Sequence, residues 1–390
     1  MRLYVNDCGV ICPLGADAAS VAESLAAARR GLSPNAKLIA GRVVQVGAVT
    51  NVLPLAPPEA AAWDCRNNRL MLAALLQIAP QIEAAAARYG SDRVAVVLGT
   101  STSGMAEGEA ALAARLCDGD WPAGFDYRQQ EIGNIALFAA AALGLSGPAY
   151  TVATACASSA KVFASARRLI RAGLADAVVV GGADTLCRMT LNGFASLEAL
   201  SSGLCNPFSR NRDGINIGEG AAAFLVSAMP GPVELLGIGE SSDAHHITAP
   251  DPDGRGASAA MAQALRQAGL GPEEIGYINL HGTGTPLNDA MEARAVTAIF
   301  PPSIPVSSTK AMTGHMLGAT GGVEAAFLWL ALSGHSRTLP PHIWDGEADP
   351  DLPTLNLVTP GVLVSMESRA MMSNSFGFGG SNASLILGRS

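Results

Sequence analysis

Apolar runs of Val, Ile and Leu alternate with Ala-rich stretches along the whole chain. The clearest runs, at 93–99 (RVAVVLG), 175–181 (ADAVVVG) and 384–388 (SLILG), each end in Gly and read as strands. Their continuous apolarity predicts burial on both faces, because a half-exposed strand would place a polar residue at every second position. Helices are predicted at 70–89, 158–172, 257–268, 289–299 and 322–332, and Gly90, Gly173 and Gly269 mark where three of them stop. The alternation predicts an α/β protein on a mostly parallel, doubly covered sheet. The first 15 residues carry Arg2 and Asp7 and read as a first strand, not as a signal peptide.

Two segments echo each other. VAVVLGTSTSG at 94–104 and YINLHGTGTP at 277–286 are both apolar strands that run into Gly- and Thr-rich turns. The echo points to a duplicated architecture with its junction at 228–237, where Pro230 and Pro232 fall, so the expected halves are 1–230 and 231–390. Length agrees, since 390 residues exceed what one hydrophobic core organises.

Composition narrows the function classes. Hydrophobic residues make up 49% of the chain and charged ones 15%, which excludes disorder. With 25 Lys and Arg against 33 Asp and Glu the net charge is -8, which argues against a nucleic-acid partner, because phosphate contacts need a basic face. The most apolar late stretch, 323–332, is interrupted by Glu324 and has about half the roughly 20 residues of a membrane span, so no membrane partner is expected. Seven Cys without a C-x-x-C pair read as free thiols in a reducing cytoplasm, with no metal site.

Four segments carry candidate chemistry. YTVATACASSAK at 150–161 passes from an apolar strand through a turn into a helix-forming run, which puts Cys156 at the positive end of a helix dipole, a position that favours a thiolate nucleophile. A buried structural Cys is the alternative. HGTGTP follows a strand and places His281 at the strand end where α/β sheets build sites; a structural His is again the alternative. SSTKAMTGHMLGATGGVE sets Lys310 and His315 five positions apart beside a glycine cluster. SNSFGFGGSN is a Gly-rich turn with two Phe before the final strand, either a tight connection or a functional loop.

Together these segments resemble the elongating β-ketoacyl-acyl carrier protein synthases of the thiolase-like superfamily. The resemblance extends along nearly the whole chain: ICPLG, TACASSA, CNPFSRNRDGINIGEGA, SSDAHHITAPDPDG, HGTGTPLNDAMEA, STKAMTGHMLGATGGVEAA and NSFGFGGSNAS. It implies a duplicated αβαβα layered fold, with the nucleophile in the first half and the His pair and Lys in the second. Cys156, His281, His315 and Lys310 are the implied catalytic set, and the amides of Cys156 and Phe378 the implied oxyanion hole. The ring of Phe378 is the implied gate, with Gly377, Gly379 and Gly380 around it. Glu324 is the implied counter-charge of Lys310, and Glu292 and Asn382 the residues that hold His281 and the last turn.

The resemblance further implies decarboxylative condensation of an acyl group, carried on Cys156, with malonyl-acyl carrier protein. Substrates ride on carrier phosphopantetheine and no bound cofactor is implied. Acyl carrier protein and a second subunit, a copy of the chain or a paralogue that sets chain length, are the implied partners. Arg66 and Arg69 match positions where relatives carry docking cations. The chain departs from the family's pattern at NDCGVICPLG, at Lys161, at His245-His246, and at Ser381, where Thr is usual.

Overall fold

A computed structural model describes residues 1–365 and 367–390. Its first half runs β1 (Tyr4–Ile11), α1 (Ala18–Ala26), β2 (Leu32–Ile39), β3 (Arg42–Gly47), α2 (Arg66–Gln77), α3 (Ala79–Tyr89), β4 (Val94–Gly99), α4 (Met105–Asp118), α5 (Asn134–Ala142), β5 (Ala149–Val152), α6 (Ser158–Arg171), β6 (Ala177–Asp184), α7 (Arg188–Ser196), β7 (Ile217–Gly218) and β8 (Gly220–Ser227). The second half continues with β9 (Val233–Ser242), α8 (Arg255–Ala268), β10 (Ile275–Asn279), α9 (Pro286–Ile299), β11 (Pro305–Ser307), α10 (Lys310–Thr313), α11 (Thr320–Leu332), β12 (Asn356–Leu357), β13 (Ala370–Gly377) and β14 (Ser381–Arg389).

The duplication is written in the strand order. Outward from the centre the first half runs β1-β8-β6-β4-β5 and the second β9-β14-β13-β10-β11, with β12 added at the edge. Pairing directions match step for step: β1/β8 and β6/β8 are antiparallel and β4/β6 and β4/β5 parallel, as are their counterparts. The two runs meet through a short antiparallel contact of Tyr4 and Val5 with Glu234 and Val233. In this correspondence β4 and β10, the two strands whose sequences echo each other, are equivalent.

Period-two alternation separates the layers. On β4, Val94, Val96 and Leu98 join the cluster formed by α2, α3 and α5, while Ala95 and Val97 face a cluster shared with α6 and α11. On β13, Met371 faces that shared cluster, and Ala370 and Met372 face α8 and α9. The order is therefore outer helices, sheet, α6 with α11, sheet, outer helices. Covered on both sides, α11 buries all thirteen of its residues, which accounts for its apolarity around the full circumference.

One predicted element divides. The helix expected at 70–89 is two helices, α2 and α3, bent by 74° at a break next to Ile78. Pro80, in the first turn of α3, has no N–H for α2 to continue into, and its ring would clash with the carbonyl of the preceding turn. Among the described residues no single helix is long and apolar enough to cross a membrane.

Candidate active site

Cys156 stands between β5 and α6 on a sharp elbow. Ala155 adopts φ +50, a left-handed conformation that an L-residue takes up only under constraint. The constraint comes from Ser158, whose Oγ accepts the Thr154 amide at 2.9 Å and donates to the Ala155 carbonyl at 2.6 Å. The elbow turns the thiol out of the sheet and toward the second half of the molecule.

His281 reaches the same point from the end of β10. Its amide and that of Gly282 donate to the two carboxylate oxygens of Glu292 on α9, at 2.8 and 2.7 Å, and Asn374 of β13 donates to the same group at 3.2 Å. Burial pushes the Glu292 carboxyl up to about 7 against the pull of those donors. His315 follows α10; its Nδ1 lies 2.9 Å from Thr320 Oγ1 and its Nε2 3.0 Å from Cys156 Sγ. The two imidazoles meet edge to face with centroids 5.3 Å apart. Burial, reinforced by the charge of Lys310, holds both well below the ordinary pKa of His, so they are neutral. Nδ1 of His281 is buried with no partner among the described residues, which favours the tautomer with its proton on Nε2, since an orphaned N–H is the rarer and costlier defect.

Lys310 and Glu324 form an ion pair of 2.8 Å with each side chain 1% exposed. Burial raises the Glu324 carboxyl to about 7 while Lys310 pulls it down. The Lys310 ammonium is thus bonded away from the sulfur and acts on it and on the imidazoles through its field.

Phe378 closes the site. The β13–β14 turn carries Gly379 and Gly380 at φ +80 and +77, conformations that a side chain would strain, and it packs so closely on the elbow that a Cβ on Gly377 would lie 3.2 Å from the Cys156 nitrogen. The Phe378 ring, 38% exposed, leans on Phe194 of α7 at 5.7 Å. A cavity of about 270 Å³ lies behind it, lined by Cys156, both imidazoles, Phe376, Phe378 and Asn382. Asn382 bonds Asp243 at 2.6 Å and so ties the turn to the loop after β9.

The expected effect of the helix head on the thiol is outweighed at rest. Burial pushes Cys156 up to about 11, and the opposing pulls of Lys310 and the Phe378 amide do not overcome it. The resting nucleophile is a neutral thiol beside a neutral imidazole. Cys156, His281 and His315 place three donor atoms within 4.8 Å of one another, a spacing that could hold a metal ion, but the Lys310 field that depresses both imidazoles also opposes a cation there.

Arg66 and Arg69 lie elsewhere, along a separate groove with Glu107 and Phe125. Arg66 is held by Glu219 at 2.6 Å and by the Val49 carbonyl at 2.7 Å, and Arg69 by Asp64 at 2.5 Å. Sequence reasoning missed Thr320, Asn374, Phe194 and Phe376. Thr320 and Phe376 sit inside the motifs that drew attention, whereas Phe194 carries no local signal and is a site residue only because α7 packs across the cavity mouth.

A duplicated five-layer α/β architecture of this kind, with an elbow thiol facing two neutral imidazoles, is the thiolase-like fold. The chain belongs to the β-ketoacyl synthase family: residues 8–229 match the family's N-terminal domain and 233–344 its C-terminal domain. It is 39% identical over 261 residues to a 3-oxoacyl-[acyl-carrier-protein] synthase 2 of Staphylococcus aureus, a match covering 63% of this chain and 64% of that protein. The mitochondrial 3-oxoacyl-[acyl-carrier-protein] synthase of Arabidopsis thaliana is 41% identical over 266 residues, 62% of this chain and 57% of that one. The aligned stretch thus spans less than two thirds of either curated relative. Among solved structures, a ketosynthase from Xenorhabdus doucetiae in complex with its chain length factor matches with 45% identity and a TM-score of 0.95 over 100% of this chain and 98% of that one. The ishigamide ketosynthase/chain length factor matches with 29% identity and a TM-score of 0.89, covering 100% and 99%.

Proposed function

We propose that the chain is a β-ketoacyl synthase that loads an acyl group onto Cys156 and condenses it with malonyl-acyl carrier protein. The observation that carries this reading is the thiol 3.0 Å from His315 Nε2, with the second imidazole edge to face against the first at 5.3 Å. In acyl transfer sulfur attacks the thioester carbonyl, the Cys156 and Phe378 amides hold the resulting oxyanion, and the proton lost by the Cys156 thiol leaves on the carrier's thiol as the carbon–sulfur bond to the carrier breaks. In the second stage malonyl thioester loses carbon dioxide. The enolate oxygen is held by the N–H groups of two neutral imidazoles, which Lys310 keeps uncharged. The enolate carbon then attacks the acyl carbonyl, the Cys156 thiolate leaves and regains a proton, and the chain is two carbons longer. The chemistry asks for no cofactor beyond the carrier's phosphopantetheine arm.

In this reading Arg66 and Arg69 remain docking cations for the acidic carrier. Their side chains are 38% and 34% exposed, and the carrier's anionic groups compete with Glu219 and Asp64 for them. Seven free thiols, six of them buried, support a cytoplasmic setting.

A partner subunit is part of the proposal. Strand β5 is the sheet edge, and Leu112, Leu116, Leu137, Tyr150 and Met189 expose large apolar surface on it and on α4, α5 and α7. An apolar edge of this kind calls for a cover. The full-length likeness to a ketosynthase complexed with its chain length factor favours a paralogous partner over a second copy. Mass spectrometry after incubation with a series of acyl carriers tests the function: an acyl adduct on Cys156 and ketoacyl product on adding malonyl carrier are expected. Product formation by Cys156→Ala protein would overturn it.

A further inference from the structure

Two residues far apart in the sequence meet beside the Phe378 turn. Lys161 Nζ donates to Ser381 Oγ at 2.6 Å, across 220 positions of sequence, and both residues are half-buried. An ammonium has donors only, so the hydroxyl is necessarily the acceptor. Lys161 lies on α6, five residues beyond Cys156, and Ser381 is the first residue of β14, directly after the Phe378 turn.

That turn has little stiffness of its own, since Gly377, Gly379 and Gly380 surround Phe378. Its placement therefore depends on anchors. On one side the loop after β9 holds it: the Gly380 carbonyl accepts the Asp243 amide at 2.9 Å, and the Gly379 amide donates to the Ile247 carbonyl at 2.8 Å. On the other side stands Lys161, on the helix that carries the nucleophile. Clearance there is small, because a Cβ on Gly377 would lie 3.2 Å from the Cys156 nitrogen. A shift of the turn by a few tenths of an ångström moves the Phe378 amide relative to Cys156, and the alignment of an oxyanion donor decides its worth.

We propose that Lys161 is a positioning residue that ties the Phe378 turn to the Cys156 helix through Ser381 and holds the gate closed over the Cys156 elbow. The proposal rests on the synthase reading for its catalytic consequence, but not for the tether itself. Lys161→Met keeps the length of the side chain and removes the donor; Ser381→Ala removes the acceptor; Ser381→Thr keeps a hydroxyl. Lys161→Met and Ser381→Ala are each expected to lower kcat for condensation about 10-fold and to speed alkylation of Cys156 by iodoacetamide about 3-fold or more, with the thermal midpoint unchanged. The double variant should match either single one, and Ser381→Thr should track the wild type. Unchanged alkylation and kcat in both single variants, or effects that multiply in the double variant, would overturn the tether. Alkylation needs no carrier substrate, so a wild-type protein that fails to condense removes the synthase reading while the alkylation rates still decide the tether.

Discussion

The two halves of the molecule carry the same five-strand motif and put different chemistry on it. After β4 the turn Thr100-Ser101-Thr102 is gathered by the buried Asp184, which accepts from the hydroxyls of Thr100 and Thr102 and the amides of Ser101 and Thr102. After β10, the equivalent strand, the turn is gathered by buried Glu292, which accepts the amides of His281 and Gly282. The device is one, a carboxylate collecting strand-end donors. The first turn exists to hold structure, the second to present an imidazole. The next strands differ similarly: β5 leads through the strained Ala155 to a thiol, and β11 leads to Lys310 and His315. Cys156 comes from one half and both imidazoles from the other, and they meet only where α6 and α11 bring the halves together.

The sharpest way to break this division of labour is to remove the thiol. Cys156→Ala should abolish condensation, by at least about 10³-fold in product formed, while Cys156→Gln should lose condensation but keep release of carbon dioxide from malonyl carrier, because that step belongs to the second half. Loss of carbon dioxide release together with condensation in the Gln variant would show that the halves do not divide the reaction this way.

Next comes the buried pair of the second half. Lys310→Met strands Glu324 at 1% exposure and should destabilise the fold by about 3–5 kcal/mol in urea unfolding, with most of it recovered by adding Glu324→Leu. A Lys310→Met protein of wild-type stability would mean that the pair is not charged.

The imidazoles should separate by role. Each of His281→Ala and His315→Ala is expected to lower condensation about 10²–10³-fold, since each removes a donor to the enolate. His281→Ala should still acylate Cys156 at near the wild-type rate, whereas His315→Ala, which removes the group 3.0 Å from the sulfur, should acylate slowly; mass spectrometry of the loading step separates them.

The smallest effect is a pH dependence with a definite sign. The folded-state pKa of His315 lies well below 6.5, so as pH falls through 6.5 the unfolded chain binds a proton that the folded chain refuses, and stability drops. Glu292, raised to about 7, has the opposite sign, since from pH 4.5 to 7 the folded chain keeps a proton the unfolded chain has lost. The comparison must therefore be wild type against His315→Asn at each pH. Wild type should lose up to about 1.4 kcal/mol per pH unit more than the variant below pH 6.5, read from urea unfolding at about pH 7.5 and about pH 5.5. An equal loss in both proteins would mean that His315 takes up a proton in the fold.

The sequence by itself determined the layered α/β architecture and the residues that the fold brings together, but not every strand direction, since β8 and β14 pair antiparallel on both sides where the sequence predicts a mostly parallel sheet. Uniform apolar strands, helices ending at glycines and the echo of 94–104 in 277–286 all state a duplicated, doubly covered sheet, because periodicity and burial are local consequences of composition. Long motifs around Cys156, His281, Lys310, His315 and Phe378 named the groups that the fold gathers. The α2–α3 break was open to inspection at Pro80, yet the helical period on either side outweighed it.

What only the tertiary structure decided is protonation and partnership, which depend on solvent exclusion and on distances between residues far apart in the chain. Helix position alone favours a thiolate at Cys156, but burial among the other half's side chains returns it to the thiol. Arg66 reads as a free cation until Glu219, far away in the sequence, is brought against it. Lys161 and Ser381 were two unrelated oddities in the sequence, and only the fold sets one within reach of the other.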